Sequence, residues 1–281
     1  MTGLTLPAGV VRRDVDVPAG PLAVIEARPP GGSTGTVLLV PGYTGSKEDF
    51  RLVLPALAGH GWRAVAVDQR GQHESPGTGD ASAYTVDVLG REIVQLTEAL
   101  GDGPVHLVGH SFGGLVTRAA VLHEPGRFRS HVLMGSGPAG LSGPRREVLR
   151  MLRPVLEQGG LAGVWAAMEA LAAADPRAGE ATVDARDFQR ARLMGGSATA
   201  LLAMGDALLD EPDRVGELAG AGVPTLVLYG ETDDAWLPAV QAEMAARLGA
   251  PTVVVAGSVH SPAAEQPDAT AAALVAFFSG R

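Results

Sequence analysis

The sequence predicts an α/β fold, a mostly parallel central sheet flanked by helices and interrupted by an all-helical insert. Three observations carry this. Short β-branched runs alternate with helical stretches from residue 10 to about 138 and again after Gly222, as in chains of βα units. From 139 to 218 the strand signal vanishes, and Ala, Leu, Arg and Met dominate. The run Val105-His-Leu-Val-Gly-His-Ser-Phe-Gly-Gly114 reads as a buried strand, a tight turn and the start of a helix. At 281 residues the chain suits one large domain, with a core of residues 1–138 and 219–281 and a helical cap of residues 139–218.

In chain order, two early strands after residue 10 form an antiparallel edge. Thr36-Val-Leu-Leu-Val40 is a buried strand, followed by the loop Pro41-Gly-Tyr-Thr-Gly45 and a helix from about Lys47. Asp68-Gln-Arg-Gly-Gln-His-Glu-Ser75 is a loop. After the strand at 105–108, Gly109-His-Ser-Phe-Gly113 fits the pattern G-x-S-x-G, and a helix continues over 115–122. Side chains at Gly109 and Gly113 would collide with the neighbouring strand and helix, and the turn strains Ser111 so that its hydroxyl is lifted out of the sheet. His131-Val-Leu-Met-Gly135 is the sixth strand. Helical segments near 144–157, 161–173, 184–194 and 197–209 form the insert, with breaks at Gly159-Gly160, Asp175-Pro176 and Gly195-Gly196. Thr225-Leu-Val-Leu-Tyr-Gly230 resumes the sheet, exits through Glu231-Thr-Asp-Asp234 and leads to a helix near Pro238. A last β-branched run stops at Gly257, and Ala-Ala-Leu-Val-Ala-Phe-Phe at 272–278 suits the buried face of a final helix.

A serine hydroxyl is a poor nucleophile until a base takes its proton. Of the seven histidines, His110 sits beside Ser111 with its side chain expected to point away, while His106 and His131 belong to strands. His60 and His123 fall late in helices, and His73 is in the loop at 68–75. A lone histidine is by default a surface group. His260 is different, because it stands just past a strand end, where parallel sheets gather their functional loops. An orienting acid is expected after the preceding strand, where Asp233 and Asp234 compete. The exit of the sixth strand offers only Ser136, Gly137 and Pro138. The backbone N–H groups of Tyr43 and Phe112 are candidate donors to a developing oxyanion, the latter at a helix N-terminus.

With these pieces the chain resembles the α/β-hydrolase superfamily over nearly its whole length. The matching residues are Pro41-Gly-Tyr-Thr-Gly45, Asp68-Gln-Arg-Gly71 with Ser75, the turn at 109–113, Gly230-Glu-Thr-Asp-Asp234 and Gly257-Ser-Val-His260. The resemblance implies a Ser111-His260-Asp triad and an acyl-enzyme, with no metal and no cofactor. The family spacing from Gly230 favours Asp233, while counting back from Pro238 favours Asp234. Asp233 is the expected acid, with Asp234 the alternative, because the strand end fixes geometry more firmly than the following helix start. Two positions depart from the family pattern. Pro41 replaces a common His before the oxyanion donor, so the hydrogen bonds of that loop must differ, and His73 stands where Gly is common. Members with an aspartate nucleophile, such as haloalkane dehalogenases and epoxide hydrolases, are disfavoured by Ser111.

Composition sets limits around this. A net charge of −9 argues against nucleic acid or anionic membrane as partner. With no cysteine there is no disulfide framework, and no His/Cys metal spacing is seen. The first ten residues lack a basic start and an apolar signal core, and no run is long enough to span a bilayer, which points to a cytoplasmic protein. For substrate, Trp236, Trp165, Met168 and Met194, with Met204, are pocket candidates against the simpler alternative of core packing. Arg145, Arg146, Arg150 and Arg153 read as a solvated helix face, and few aromatics suggest a modest apolar cavity. The expectation is a serine hydrolase of a small carboxylic ester or related acyl bond. Thioesterase, lactonase, C–C hydrolase or cofactor-free perhydrolase chemistry, or a low-turnover ligand sensor, are the alternatives on the same framework.

Overall fold

Parallel strands covered on both faces lose the inside–outside alternation, and these strands do. In the computed structural model, which describes residues 4–142, 145–174 and 182–281, the strands are β1 (Val10–Val17), β2 (Gly20–Ala27), β3 (Gly35–Val40), β4 (Trp62–Val67), β5 (Val105–His110), β6 (Phe128–Met134), β7 (Thr225–Gly230) and β8 (Thr252–Val255). Every residue of β4 and β5 is buried, whereas edge strand β1 mixes buried and exposed positions. The strands form one sheet in the order β1-β2-β4-β3-β5-β6-β7-β8. Pairings β1–β2 and β2–β4 are antiparallel and all others are parallel, as expected for an early antiparallel edge on a parallel sheet.

The helices are α1 (Leu54–Gly59), α2 (Val86–Leu100), α3 (Phe112–His123), α4 (Arg145–Ala174), α5 (Val183–Gly195), α6 (Ala198–Asp210), α7 (Val215–Gly220), α8 (Pro238–Leu248), α9 (Pro262–Glu265) and α10 (Pro267–Phe278). Residues of α2, α3, α7 and α8 build an apolar layer on one face of the sheet through Leu89, Ile93, Leu115, Leu218 and Met244. On the other face α1 and α10 contribute Leu54, Leu57, Leu274 and Phe278. No helix among the described residues is long and apolar enough to cross a membrane.

The helix expected from Lys47 is instead a single 3-10 turn, Lys47–Phe50, and α1 starts only at Leu54. The turn is fixed by charge pairing that local sequence does not reveal. The Lys47 ammonium is fully buried and lies 2.7 Å from Asp68, 2.9 Å from Glu48 and 2.9 Å from Glu74.

Helices α4, α5 and α6 fill the connection from β6 to β7, close to the expected segments. The Gly159-Gly160 break appears as a bend within α4, at Gly160 with φ 59°, and Gly195-Gly196 separates α5 from α6. The Asp175-Pro176 break and residue 144 lie outside the described residues. Both ends of the insert meet at Arg118 on α3, which is 1% exposed. Its guanidinium donates to the Pro138 carbonyl at 2.5 Å, the Glu211 carboxylate at 2.9 Å and the Pro212 carbonyl at 3.3 Å.

Candidate active site

Ser111 joins β5 to α3 with φ 54° and ψ −122°, one of two non-glycine residues with positive φ among those described. Such a conformation costs on the order of 1–3 kcal/mol and persists only where the surroundings force it. Here they do. A Cβ at Gly109 would lie 2.1 Å from Thr117 Oγ1, and one at Gly113 would lie 2.4 Å from the Pro41 carbonyl oxygen. The flanking glycines therefore let α3 and the loop after β3 close onto the turn, as the sequence pattern required.

His260, on the loop after β8, brings Nε2 to 2.9 Å from Ser111 Oγ and Nδ1 to 3.0 Å from Asp233 Oδ1. The carboxylate only accepts, so Nδ1 carries the proton, and the bare Nε2 accepts from the serine hydroxyl. Asp233 is 1% exposed. Burial alone would raise its carboxyl, but the hydrogen bond and charge of His260, the Ala235 N–H and the Gln241 amide hold it below the usual range. Asp234 turns the other way and pairs with Arg145 on α4 at 2.8 Å. Of the two competing aspartates, Asp233 is the one in line with His260.

Sequence reasoning missed Gln241. This fully buried residue of α8 donates to Asp233 Oδ2 at 2.9 Å and to the Trp236 carbonyl at 2.7 Å. The available signal was a glutamine on the inward face of an amphipathic helix.

His110 does not point away, contrary to expectation. Its ring lines the same cavity as Ser111, with its centroid 5.0 Å from that of His260. Nε2 donates to the His260 carbonyl at 2.8 Å, so Nδ1 is left as an acceptor. Burial, then the nearby His260, pushes the His110 imidazole down to about 4 and keeps it neutral.

The N–H groups of Tyr43 and Phe112 make no hydrogen bond to a protein acceptor among the described residues, and the two segments carrying them converge beside Ser111. A Cβ at Gly42 would lie 3.0 Å from Ser111 Cβ. The Tyr43 hydroxyl reaches the insert and donates to the Leu201 carbonyl on α6 at 2.7 Å.

Above Ser111 opens a cavity of about 930 Å³, bounded by α4, α6 and the loops after β3 and β7. This is larger than the expected modest pocket, and α4 and α6 supply much of its aliphatic lining, including Leu152, Leu156, Val164, Leu201 and Leu202. Met168 lines it as anticipated. Trp165 and Met194 do not, since Trp165 packs within the insert and Met194 is exposed. Trp236 is fully buried behind the wall, its indole N–H directed to the Ala139 and Gly140 carbonyls where the insert begins, and Met204 is core. The arginines of α4 are not simply a solvated face. Arg145 and Arg153 line the cavity in ion pairs with Asp234 and Asp206, while Arg146 donates to the Leu141 and Leu209 carbonyls. Arg150 is exposed beside Glu147, as expected. No cluster of three His, Cys, Asp or Glu suited to a metal occurs among the described residues.

Residues 35–267 match the family model described as alpha/beta hydrolase fold. A putative carbamate hydrolase, RutD, of Variovorax paradoxus (strain S110) is 41% identical over 100 residues, covering 36% of this chain and 37% of that protein. Epoxide hydrolase B of Mycobacterium tuberculosis is 32% identical over 142 residues, covering 49% and 40%. The chain thus matches no more than about two fifths of the length of these two relatives. A crystal structure from work on carboxylesterases of Nitrososphaera gargenis superposes with a TM-score of 0.79 at 20% identity, covering 95% of this chain and 98% of that one, which reflects the shared fold.

Proposed function

The chain belongs to the alpha/beta hydrolase fold family, and from that premise we propose that it is a serine hydrolase of a carboxylic ester or related acyl bond. The observation that carries this is the unbroken line Asp233–His260–Ser111, ending on a strained serine at the floor of an apolar cavity. His260 Nε2 takes the hydroxyl proton as Ser111 Oγ attacks the carbonyl carbon, while Asp233 steadies the imidazolium. The Tyr43 and Phe112 N–H groups receive the oxyanion. Collapse expels the alkoxide, which takes the proton from His260 and leaves the acyl group on Ser111. Water, deprotonated by the same imidazole, then releases the acid. Ser111 counts against epoxide opening by an aspartate nucleophile, despite the epoxide hydrolase relatives.

Residues 139–218 act as the cap that shapes the acyl pocket and excludes water. Leu152, Leu156, Val164, Met168, Leu201 and Leu202 offer an aliphatic lining, and the volume lies near the upper end of the range typical of small-molecule pockets. This supports acyl chains of medium length over acetate. A fluorophosphonate should label the protein once, at Ser111, and Ser111→Ala should lose p-nitrophenyl ester turnover by orders of magnitude. Labelling elsewhere, or full activity in Ser111→Ala, sinks the proposal. Carbamate, thioester and lactone substrates in the same panel separate the neighbouring acyl chemistries. Tight ligand binding with negligible turnover would indicate a sensor.

A further inference from the structure

Pro41 left open how the loop after β3 is held. The structure supplies an answer on the side of the loop away from the cavity. Gln69 and Gln72, from the loop after β4, are 2% and 6% exposed. Gln69 Nε2 donates to the Pro41 carbonyl at 2.9 Å, and Gln72 Nε2 donates to the carbonyls of Gly42 at 2.8 Å and Tyr43 at 3.0 Å. Three consecutive carbonyls are thus gripped by two side-chain amides. The Gln72 amide has a defined orientation, because its Oε1 accepts the Gln69 N–H at 3.2 Å.

We infer that Gln72 is a positioning residue that aims the Tyr43 N–H at the oxyanion formed on Ser111; the role rests on the hydrolase reading above. A trans peptide carries its C=O and N–H on opposite edges of one rigid plane. The Gly42 carbonyl and the Tyr43 N–H share such a plane. Gln72 does not line the cavity, whereas Gly42, Tyr43 and Ser111 do. Pulling the carbonyl toward Gln72 therefore turns the N–H toward Ser111. The bond also polarises the peptide and strengthens its N–H as a donor. The loop has little room to adopt another pose, since a Cβ at Gly42 would lie 3.4 Å from His110 Nδ1 and one at Gly45 would lie 2.5 Å from Asp49 Oδ2.

Gln72 is itself held firmly. Its N–H donates to the Gln69 carbonyl at 2.9 Å, its carbonyl accepts from Ser75 N–H at 2.9 Å, and Ser75 Oγ closes onto the Asp68 carbonyl at 2.7 Å. The next residue, His73, has φ 40°. It is the only described non-glycine residue with positive φ besides Ser111. Backbone strain thus falls at two places, the serine and the residue adjoining the brace, and strain of this kind gathers where a site is pre-organised.

The test uses Gln72→Met, close in size but without donors, and Gln72→Glu, which keeps the Oε1 acceptor and replaces the amide donors by a carboxylate. Losing a whole oxyanion donor costs about 10²–10³ in kcat, so a misdirected one should cost about 10–100-fold. The expected pattern on p-nitrophenyl butyrate is that fall in kcat with KM within about threefold. Affinity for butaneboronic acid, whose tetrahedral adduct places an oxygen where the oxyanion forms, should drop by the same factor as kcat/KM. A purely structural role would lower Tm without singling out the boronate. Crystal structures of the variants read the peptide directly. A Tyr43 N–H turned away from Ser111 supports the inference, and an unmoved Gly42–Tyr43 peptide, or kcat within about threefold of wild type, overturns it. If the wild type neither turns over esters nor takes the fluorophosphonate, the hydrolase reading fails by itself, and the peptide orientation in the variants still decides whether Gln72 directs that N–H.

Discussion

Arg118 is the point where the helix that follows Ser111 holds the insert, and replacing it gives a demanding test of the architecture. Arg118→Met keeps much of the aliphatic volume but removes every donor to the Pro138 carbonyl, the Glu211 carboxylate and the Pro212 carbonyl. The Glu211 side chain is 11% exposed, so its charge would remain in a largely dry place without a partner. Breaking a buried pair from one side costs about 3–5 kcal/mol. Glu211→Gln in the same background removes the stranded charge and should recover about 1–3 kcal/mol of that loss. The assay is urea denaturation of wild type, both single variants and the double variant, analysed as a cycle. A coupling energy above about 1 kcal/mol is expected, since the groups touch. If Arg118→Met loses less than about 1 kcal/mol, or the two changes are additive, then the insert is held by its apolar contacts and the argument from Arg118 is wrong.

Three further outcomes follow from the geometry. Asp233→Asn should lower kcat by about 10⁴ through the wrong imidazole tautomer, whereas Asp234→Asn, which loses only the Arg145 pair, should stay within about tenfold; steady-state kinetics of the two variants would show a reversed order if the assignment is wrong. Met168→Phe should shift the preferred ester chain length downward, while Met194→Ala, on an exposed position, should leave the chain-length profile unchanged. Burial is the main cause that lowers His106 and His110 to about 4 and His131 to about 3. The unfolded chain takes up these protons near pH 6.5 and the folded one only near pH 3–4, so stability should fall as pH drops through that window, by up to about 1.4 kcal/mol per pH unit for each histidine. Urea midpoints that stay flat between pH 6.5 and 4.5 would contradict this.

What the sequence disclosed and what it hid divide along physical lines. The turn at Ser111 was legible because a strand, a strained residue and a helix in ten positions leave room for few residue types. The strand ends carrying Asp233 and His260 were legible for the same reason, since a run of β-branched residues stops at a glycine. The choice between Asp233 and Asp234 was narrower, because one residue of loop decides which carboxylate faces inward; counting from the strand end pointed to Asp233, the one that meets His260. Pocket residues were the weakest inference. Trp236 resembles a lining residue by position, yet its indole N–H needed an acceptor and found two carbonyls at the start of the insert. Met168 and Met194 are chemically alike, and only the packing of α4 and α5 separates a cavity wall from an exposed surface. His110 was misjudged because a neighbour of the serine was assumed to point outward, whereas the His260 carbonyl offered a buried partner on the cavity side. Gln69 and Gln72 gave no local signal, as their partners lie about thirty residues upstream.

Lys47 is the only lysine in the sequence, and there is no cysteine. Burial alone would lower its ammonium, but Asp68 and Glu48 raise it, and the side chain has no solvent contact. Amine-directed reagents need a neutral, accessible amine, so among the described residues the folded protein offers them no lysine to modify. Reaction at Lys47 would therefore time the opening of the structure around the loop after β3, with nothing else on a lysine or thiol to obscure it. The same silence makes labelling simple. A cysteine placed at exposed Met194 would be the sole thiol on the protein, and a dye attached there would report on the surroundings of α5 without competing sites.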